Sequence, residues 1–268
     1  MNQVKEAKKL LDEADAVLIG AAAGLSTAAG LDYAGQRLQQ HFSNYIEKYG
    51  MTDMYSAGFY PFQTLEEKWA YWSRHVLLNS YGESLPLYQD LYNLVKDKEY
   101  FVMTTNVDGQ FEKAGFDKDK IYEIHGSIHH AQCIHNDDGN IWNMDENSVE
   151  VDEEKFIATK MPVCPECGCV SRPNILMFYD HEFNHKRAWA QRKKYDAWLS
   201  HNMNSRIVII EIGAGLAVPT IRIFGERMAK RFKMAHLIRI NPVDTHVSAY
   251  RGMAIKAGGL EGLRMLLG

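Results

Sequence analysis

At 268 residues, with 30 Lys and Arg against 34 Asp and Glu, the chain has no basic excess with which to hold nucleic acid or an anionic membrane surface. Its 46% hydrophobic and 24% charged content is that of an ordinary soluble globular protein with a sizeable core, and no apolar run approaches the ~18 residues of a spanning helix. Four cysteines, three of them clustered, predict metal or redox chemistry in a reducing compartment, the cytoplasm, in place of a disulfide scaffold.

Residues 1–11 mix acidic and basic side chains, unlike a signal peptide. Val4, Ala7, Leu10 and Leu11 share one stripe and predict a helix over 4–14. Residues 16–19 read as a first buried strand, which runs into Gly20-Ala21-Ala22-Ala23-Gly24-Leu25-Ser26, small residues suited to a strand-to-helix phosphate turn. From 36 to 81 the pattern is helical and aromatic-rich, with Phe42, Tyr45, Phe59, Phe62, Trp69, Tyr71 and Trp72. Core packing is the preferred reading there, a substrate groove or lid the alternative. A helix over 85–96 feeds a buried strand at 100–103, and 121–124 is a second short strand. After Ile128 the composition changes: 136–140 is a loop signal, and the acidic 145–154 reads as a solvated excursion. A strand at 175–178, a helix over 186–199, a strand at 207–210 and a last strand at 237–240 complete the chain. Apolar runs alternating with helices predict an α/β fold, a parallel sheet with helices on both faces.

The polar residues sit where such a sheet binds ligands. Asn106 and Asp108 follow the 100–103 strand, and His125 follows 121–124, with Gly126 permitting close backbone approach. An amide, a carboxylate and an imidazole at neighbouring strand ends predict a catalytic cleft. For His125 the alternative is a hydrogen-bonded structural role; His129 and His130 lack such company and are expected at the surface or away from direct ligand contact. Gly20, Ala22 and Gly24 stand where a dinucleotide fingerprint alternates glycines, with Ala22 departing from the strict form. Gly213-Ala214-Gly215 and Asn241-Pro242 close two further strands, so nucleotide binding is favoured over packing alone. An acidic ribose-binding residue at the usual distance is missing, which argues against a dehydrogenase. Cys164-Pro165-Glu166-Cys167-Gly168 has the knuckle spacing of tetrahedral zinc.

The 20–30 segment, Thr105-Asn106-Val107-Asp108-Gly109, His125-Gly126-Ser127, the Cys164–Cys167 knuckle, Arg172-Pro173-Asn174, Gly213-Ala214-Gly215 and Ile240-Asn241-Pro242, in this order, resemble the sirtuin (Sir2) family. The likeness runs from about residue 16 to the C-terminus and is weakest between 36 and 84. It implies a Rossmann-type NAD-binding domain of residues 1–34, 85–130 and 174–268. It also implies a smaller domain, a helical insertion (35–84) with a zinc-ribbon-like one (131–173), and NAD as co-substrate in the cleft between them. Gly20, Ala22, Ala23, Gly24 and Ser26 would line the phosphates and adjoining ribose, with Asp32 and Tyr33 on the loop covering the nicotinamide ribose. Gly213, Ala214, Gly215 and Asn241 would hold the adenosine half. The implied catalytic set is Asn106 and Asp108 in the nicotinamide pocket and His125 as general base. In that chemistry an acyl-lysine carbonyl captures the ribose carbon as nicotinamide leaves. A neutral imidazole, of ordinary pKa about 6.5, then deprotonates the ribose hydroxyl that attacks the adduct.

The resemblance further implies a structural zinc on Cys133, Cys164, Cys167 and Cys169, with His135 or Asp137 as alternatives for the fourth ligand and Asn136 standing where a thiolate would be. A degenerate site without metal is the other reading. Tyr179-Asp180-His181-Glu182-Phe183 would face a protein or peptide substrate, unless it is merely a polar loop. After Gly30, Leu31-Asp32-Tyr33-Ala34-Gly35 replaces the family's Ile-Pro-Asp-Phe-Arg, with Gln36-Arg37 offering an arginine in a shifted register. This loop, with residues 54–60 and 110–115, is similar to the macrodomain-linked bacterial branch, which transfers ADP-ribose to a protein and lacks the catalytic histidine kept here. NAD-dependent protein-lysine deacylation is therefore the leading expectation. Protein mono-ADP-ribosyl transfer with a macrodomain partner is the second, and an NAD hydrolase or NAD/ADP-ribose sensor the third.

Overall fold

The computed structural model describes residues 2–80, 82–135, 140–145, 147–248 and 250–268. Its strands are β1 (Ala16–Ala21), β2 (Glu99–Thr104), β3 (Ile121–Glu123), β4 (Gly126–Cys133), β5 (Ile141–Asn143), β6 (Glu150–Asp152), β7 (Ile157–Lys160), β8 (Ser171–Ile175), β9 (Ile207–Ile212), β10 (His236–Ile240) and β11 (Gly252–Ile255). Its α-helices are α1 (Asn2–Asp12), α2 (Ala23–Ala28), α3 (Gly35–Tyr49), α4 (Met54–Ala57), α5 (Leu65–Ser80), α6 (Pro86–Val95), α7 (Gln110–Lys113), α8 (Lys186–His201), α9 (Thr220–Arg231) and α10 (Gly259–Leu267).

Six strands form one sheet in the order β11-β10-β9-β1-β2-β3, every pairing parallel. The central strands are continuous apolar runs because both of their faces are covered. Alternate residues of β1 point opposite ways. Val17 and Ile19 pack with α1, α6 and α10 through Leu11, Leu91 and Leu263, whereas Leu18 packs with α8 and α9 through Tyr195, Trp198 and Met228. α6 opens on Pro86, whose missing N–H is an unpaired donor position in any helix. α4 is capped by Asp53, whose Oδ1 accepts from the amides of Tyr55 and Ser56 at 2.9 and 2.8 Å.

A second core lies where α3, α4 and α5 meet a small antiparallel sheet, β5-β4-β8, and the β6–β7 hairpin. Phe42, Tyr45, Trp69, Tyr71 and Trp72 are buried there with Ile128, Ala131 and Ile175, so the core reading holds for these aromatics. Phe59 departs from it and is exposed.

Three expectations need correction. The apolar 175–178 run is not a strand: β8 ends at Ile175, pairs antiparallel with β4, and the chain then turns, with Tyr179 at φ 57°. The Asp180 carboxylate stabilises that turn by accepting from the Met177 amide at 3.2 Å. Residues 237–240 are not the last strand, since the half-buried β11 follows and pairs with β10. The acidic 145–154 segment is not wholly a solvated excursion, because Glu150–Asp152 pairs with β7 and packs on α5. No described helix is long and apolar enough to cross a membrane.

Candidate active site at the strand ends

In the sheet register Ala21 lies beside Thr104 and Ile212, Thr104 beside Glu123, and Ile212 beside Ile240. The carboxyl ends of five strands therefore form one row, and the chain leaves it through Ala22, Thr105, Ile124, Gly213 and Asn241. Backbone bonds stitch these exits together: Ala22 N to Ile212 O at 3.2 Å, Thr105 N to Ala21 O at 3.1 Å, Ile124 N to Thr104 O at 2.9 Å and Gly213 N to Ile240 O at 3.2 Å. Gly20 is not part of the turn. It lies inside β1, where a Cβ would sit 2.9 Å from Ile221 Cγ2, so its smallness serves packing against α9. The turn proper runs from Ala22 into α2, and Gly24 N donates to Gly213 O at 3.1 Å.

Four buried polar side chains meet below this turn. Ser26 Oγ donates to Asp108 Oδ2 at 2.6 Å and lies 3.1 Å from the Tyr88 hydroxyl. Asn106 Nδ2 donates to Ala22 O at 3.2 Å and to the Tyr88 oxygen at 3.5 Å. Asp108 Oδ1 accepts from the Gln110 amide at 3.1 Å. Burial pushes the Asp108 carboxyl above its ordinary value, with the Ser26 hydrogen bond opposing it.

His125 emerges where the chain crosses from the large sheet to the small one. Its carbonyl accepts from Leu176 N at 2.9 Å, and the next residue, Gly126, has φ +81° with a would-be Cβ 2.0 Å from Asn174 O. No side-chain-bearing residue fits that crossing. The imidazole is half-buried, and burial lowers its pKa. Of the two places expected for His129 and His130, the surface does not hold, since both are half-buried. The His129 ring packs under Gly109 with Nε2 3.4 Å from Asp108 O, and His130 is half-buried with its pKa pushed down to about 3 by burial and Arg187.

The loop after Gly30 divides its residues. Tyr33 packs edge-on against His75, and its phenol pKa is raised by burial and by the Asp108 charge. Asp32 is exposed and caps its own loop through Ala34 N at 3.2 Å. Arg37 donates to Asn79 Oδ1 at 2.9 Å and to Leu78 O at 3.3 Å, so the shifted-register arginine braces the helical insertion.

On the other side of Gly24, Asn241 Nδ2 donates to Ala214 O at 3.0 Å, while its Oδ1 accepts from Val243 N at 2.9 Å and Asp244 N at 2.8 Å. Asn241 thus locks two turns together. Gly215 has open space where a Cβ would stand. A separate open groove of about 550 Å³ is lined by Ala28, Gly258, Gly259 and Leu260 at the start of α10. The Gly258-Gly259 signal was missed because β11, which delivers it, was not anticipated. Also missed was a buried ion pair inside the sheet, Arg239 Nε–Glu211 Oε1 at 2.5 Å and Nη2–Oε2 at 2.8 Å.

The Sγ atoms of Cys133, Cys164 and Cys167 lie within 4.8 Å of one another. Gly168, at φ +72°, lets its amide reach Cys164 O at 2.9 Å and closes the knuckle. This fits three of the four ligands of tetrahedral zinc. Cys169 does not join that group; its Sγ lies 4.0 Å from Cys167 O. Asn136 and Asp137 lie outside the described residues. In the 179–183 segment Asp180 is an organiser, pairing with Arg172 at 2.9 and 2.5 Å, and Phe183 is buried, while Tyr179, His181 and Glu182 are exposed.

A parallel sheet with glycine turns, an Asn-x-Asp loop and a histidine along one row of strand ends defines a nucleotide-binding α/β protein. The chain belongs to the Sir2 family, whose model matches residues 22–249. It is 33% identical over 232 residues to a protein ADP-ribosyltransferase of Staphylococcus aureus, a match covering 81% of this chain and 70% of that one. It is 29% identical over 229 residues to a probable bifunctional ADP-ribose hydrolase/ADP-ribosyltransferase of Fusarium oxysporum, covering 80% of this chain but 38% of the relative. An NAD-dependent protein deacylase of Thermus thermophilus is 23% identical over 278 residues, covering 100% of this chain and 95% of that protein. Among solved structures, a Sir2–p53 peptide–NAD+ complex aligns with a TM-score of 0.65 at 18% identity, covering 98% of this chain and 97% of the other, which establishes the shared fold.

Proposed function

We propose that this chain is a sirtuin-type NAD-dependent protein-lysine deacylase that breaks the nicotinamide–ribose bond and passes the acyl group to ADP-ribose. One observation carries the reading: β3 delivers His125 to the same row of strand ends as Asn106 and Asp108. Bound NAD supplies the cleavable C–N bond and the ribose hydroxyls. Ala22, Ala23, Gly24 and Ser26 hold its phosphates and adjoining ribose, Gly213, Ala214, Gly215 and Asn241 its adenosine half, and Asp32 and Tyr33 cover the nicotinamide ribose. Asn106 and Asp108 orient the ribose and carboxamide. His125, kept neutral by burial, takes the hydroxyl proton at a ring nitrogen. The cleft lies between a larger unit of residues 1–34, 85–130 and 174–268 and a smaller one of 35–84 and 131–173. Cys133, Cys164 and Cys167 would hold a structural zinc that braces the smaller unit, and no step passes through it. The acyl-lysine peptide runs along 179–183, and the four free cysteines suit the cytoplasm.

A second reading, protein mono-ADP-ribosyl transfer with a macrodomain partner, is favoured by the 33% identity to a protein of that name and by Arg37 being turned onto Asn79. One experiment separates them. The protein is incubated with labelled NAD, an acyl-lysine peptide set and a cell lysate. Label in O-acyl-ADP-ribose supports deacylation, and label on a protein supports the second reading. Label only in free ADP-ribose indicates a hydrolase, and bound but uncleaved NAD a sensor; either would end both transferase readings.

A further inference from the structure

We infer that Tyr88 is a positioning residue for nicotinamide–ribose cleavage, its hydroxyl linking Asn106 to Ser26 and Asp108 in a one-way hydrogen-bond chain that fixes the orientation of the Asn106 amide. This rests on the NAD-cleaving reading above.

The direction of the chain follows from counting protons. Ser26 has one, and at 2.6 Å from Asp108 Oδ2 it is committed to the carboxylate. The Tyr88 hydroxyl is then the donor toward this pair, to Ser26 Oγ at 3.1 Å and, at longer range, to Asp108 Oδ2 at 3.5 Å. With its own proton spent, the phenol oxygen accepts from Asn106 Nδ2 at 3.5 Å. The other acceptor of that amide nitrogen, Ala22 O at 3.2 Å, is a carbonyl and cannot donate, so the amide has one allowed orientation. Nδ2 is turned inward and Oδ1 is left to accept from a ribose hydroxyl or an incoming nucleophile. All four residues are buried, Tyr88 completely, so water does not substitute for a missing link. Tyr88 sits on α6, away from the strand-end turns, and its ring stands edge-on to Phe111 at 5.0 Å.

The test is Tyr88→Phe, which keeps that ring contact and removes only the hydroxyl. Expected is a kcat for nicotinamide release about tenfold lower with KM for NAD within about twofold, since orientation is lost and binding surface is kept. The acid limb of the rate profile should move to higher pH, because Asp108 loses the Tyr88 hydrogen bond and the Ser26 hydroxyl is freed to turn away from it. The other groups facing Asp108, namely Tyr33, Lys113 and Glu123, are unchanged in the variant. In a double-mutant cycle with Ser26→Ala the two losses should fail to add. An unaltered kcat and acid limb in folded Tyr88→Phe overturns the inference. So does an unaltered Asp108 carboxyl titration, followed by carbon-13 NMR, which needs no turnover. A wild-type protein that releases no nicotinamide overturns the NAD-cleaving reading instead, and the NMR titration then still reports whether the chain of bonds exists.

Discussion

Gly24 and Gly213 touch backbone to backbone: a Cβ on Gly24 would lie 2.7 Å from Gly213 Cα, and one on Gly213 would lie 2.3 Å from Leu25 N. The turn after β1 and the turn after β9 are thereby pressed into a single floor for the cleft. Gly213 also has φ +68°, a conformation that penalises any side chain. Gly213→Ala is expected to destabilise the protein by about 2–4 kcal/mol and to abolish measurable NAD binding. Gly215→Ala, with open space at its Cβ, should leave stability within about 0.5 kcal/mol. Urea unfolding and calorimetric NAD titration check both, and equal behaviour of the two variants would refute the close-approach argument.

His125→Ala should lower deacylation by about 10²–10⁴-fold while NAD still binds. Because burial holds the imidazole pKa below the ordinary 6.5, the neutral base persists through neutral pH and the wild-type rate falls only as pH drops below that value. The stability contribution has the same sign. A depressed folded pKa means the unfolded chain binds the extra proton first, so stability is lost as pH falls through 6.5 toward the lowered value. A deacylation acid limb above pH 7, or full turnover in the alanine variant, would remove this imidazole from the reaction.

The buried pair between β9 and β10 makes an asymmetric prediction. Arg239 and Glu211 are each 1% exposed, and Arg239 also reaches Glu226 at 3.3 Å. Arg239→Met strands the Glu211 carboxylate in the sheet and should cost about 3–5 kcal/mol. The double variant Arg239→Met, Glu211→Leu should recover most of that loss, since an apolar pair removes both desolvation costs. Additive losses in denaturant unfolding would contradict the pairing.

The parts of the fold legible in the chain were those whose residues are buried on both faces. Residues 16–19, 100–103 and 207–210 are unbroken apolar runs because helices cover each side of their strands. Gly252-Met253-Ala254-Ile255 carried no such signal, being the half-buried edge strand of the sheet. Asn106, Asp108 and His125 stood out because polar residues directly follow apolar strands. Tyr88 did not, since it shares a helical stripe with Leu87, Leu91 and Val95 and reads as packing until its hydroxyl is located. The Glu211–Arg239 pair joins residues 28 apart in sequence, and only the strand register brings them together.

The cysteine cluster yields the last prediction. Zinc needs four ligands, and Cys133, Cys164 and Cys167 supply three sulfurs within 4.8 Å of one another, with Cys133 and Cys167 at 3.5 Å. Cys133 comes from the end of β4 and the other two from the knuckle before β8, so the metal would pin two ends of the small sheet. Purified protein should carry about one zinc per chain by atomic emission. Cys164→Ser should lose it and melt at lower temperature, because a structural metal's binding energy is also folding energy. Cys169→Ser should retain the zinc, as its sulfur lies outside the cluster. Loss of zinc from Cys169→Ser to the same degree as from Cys164→Ser would instead make Cys169 the fourth ligand and require the 167–169 turn to close on the metal.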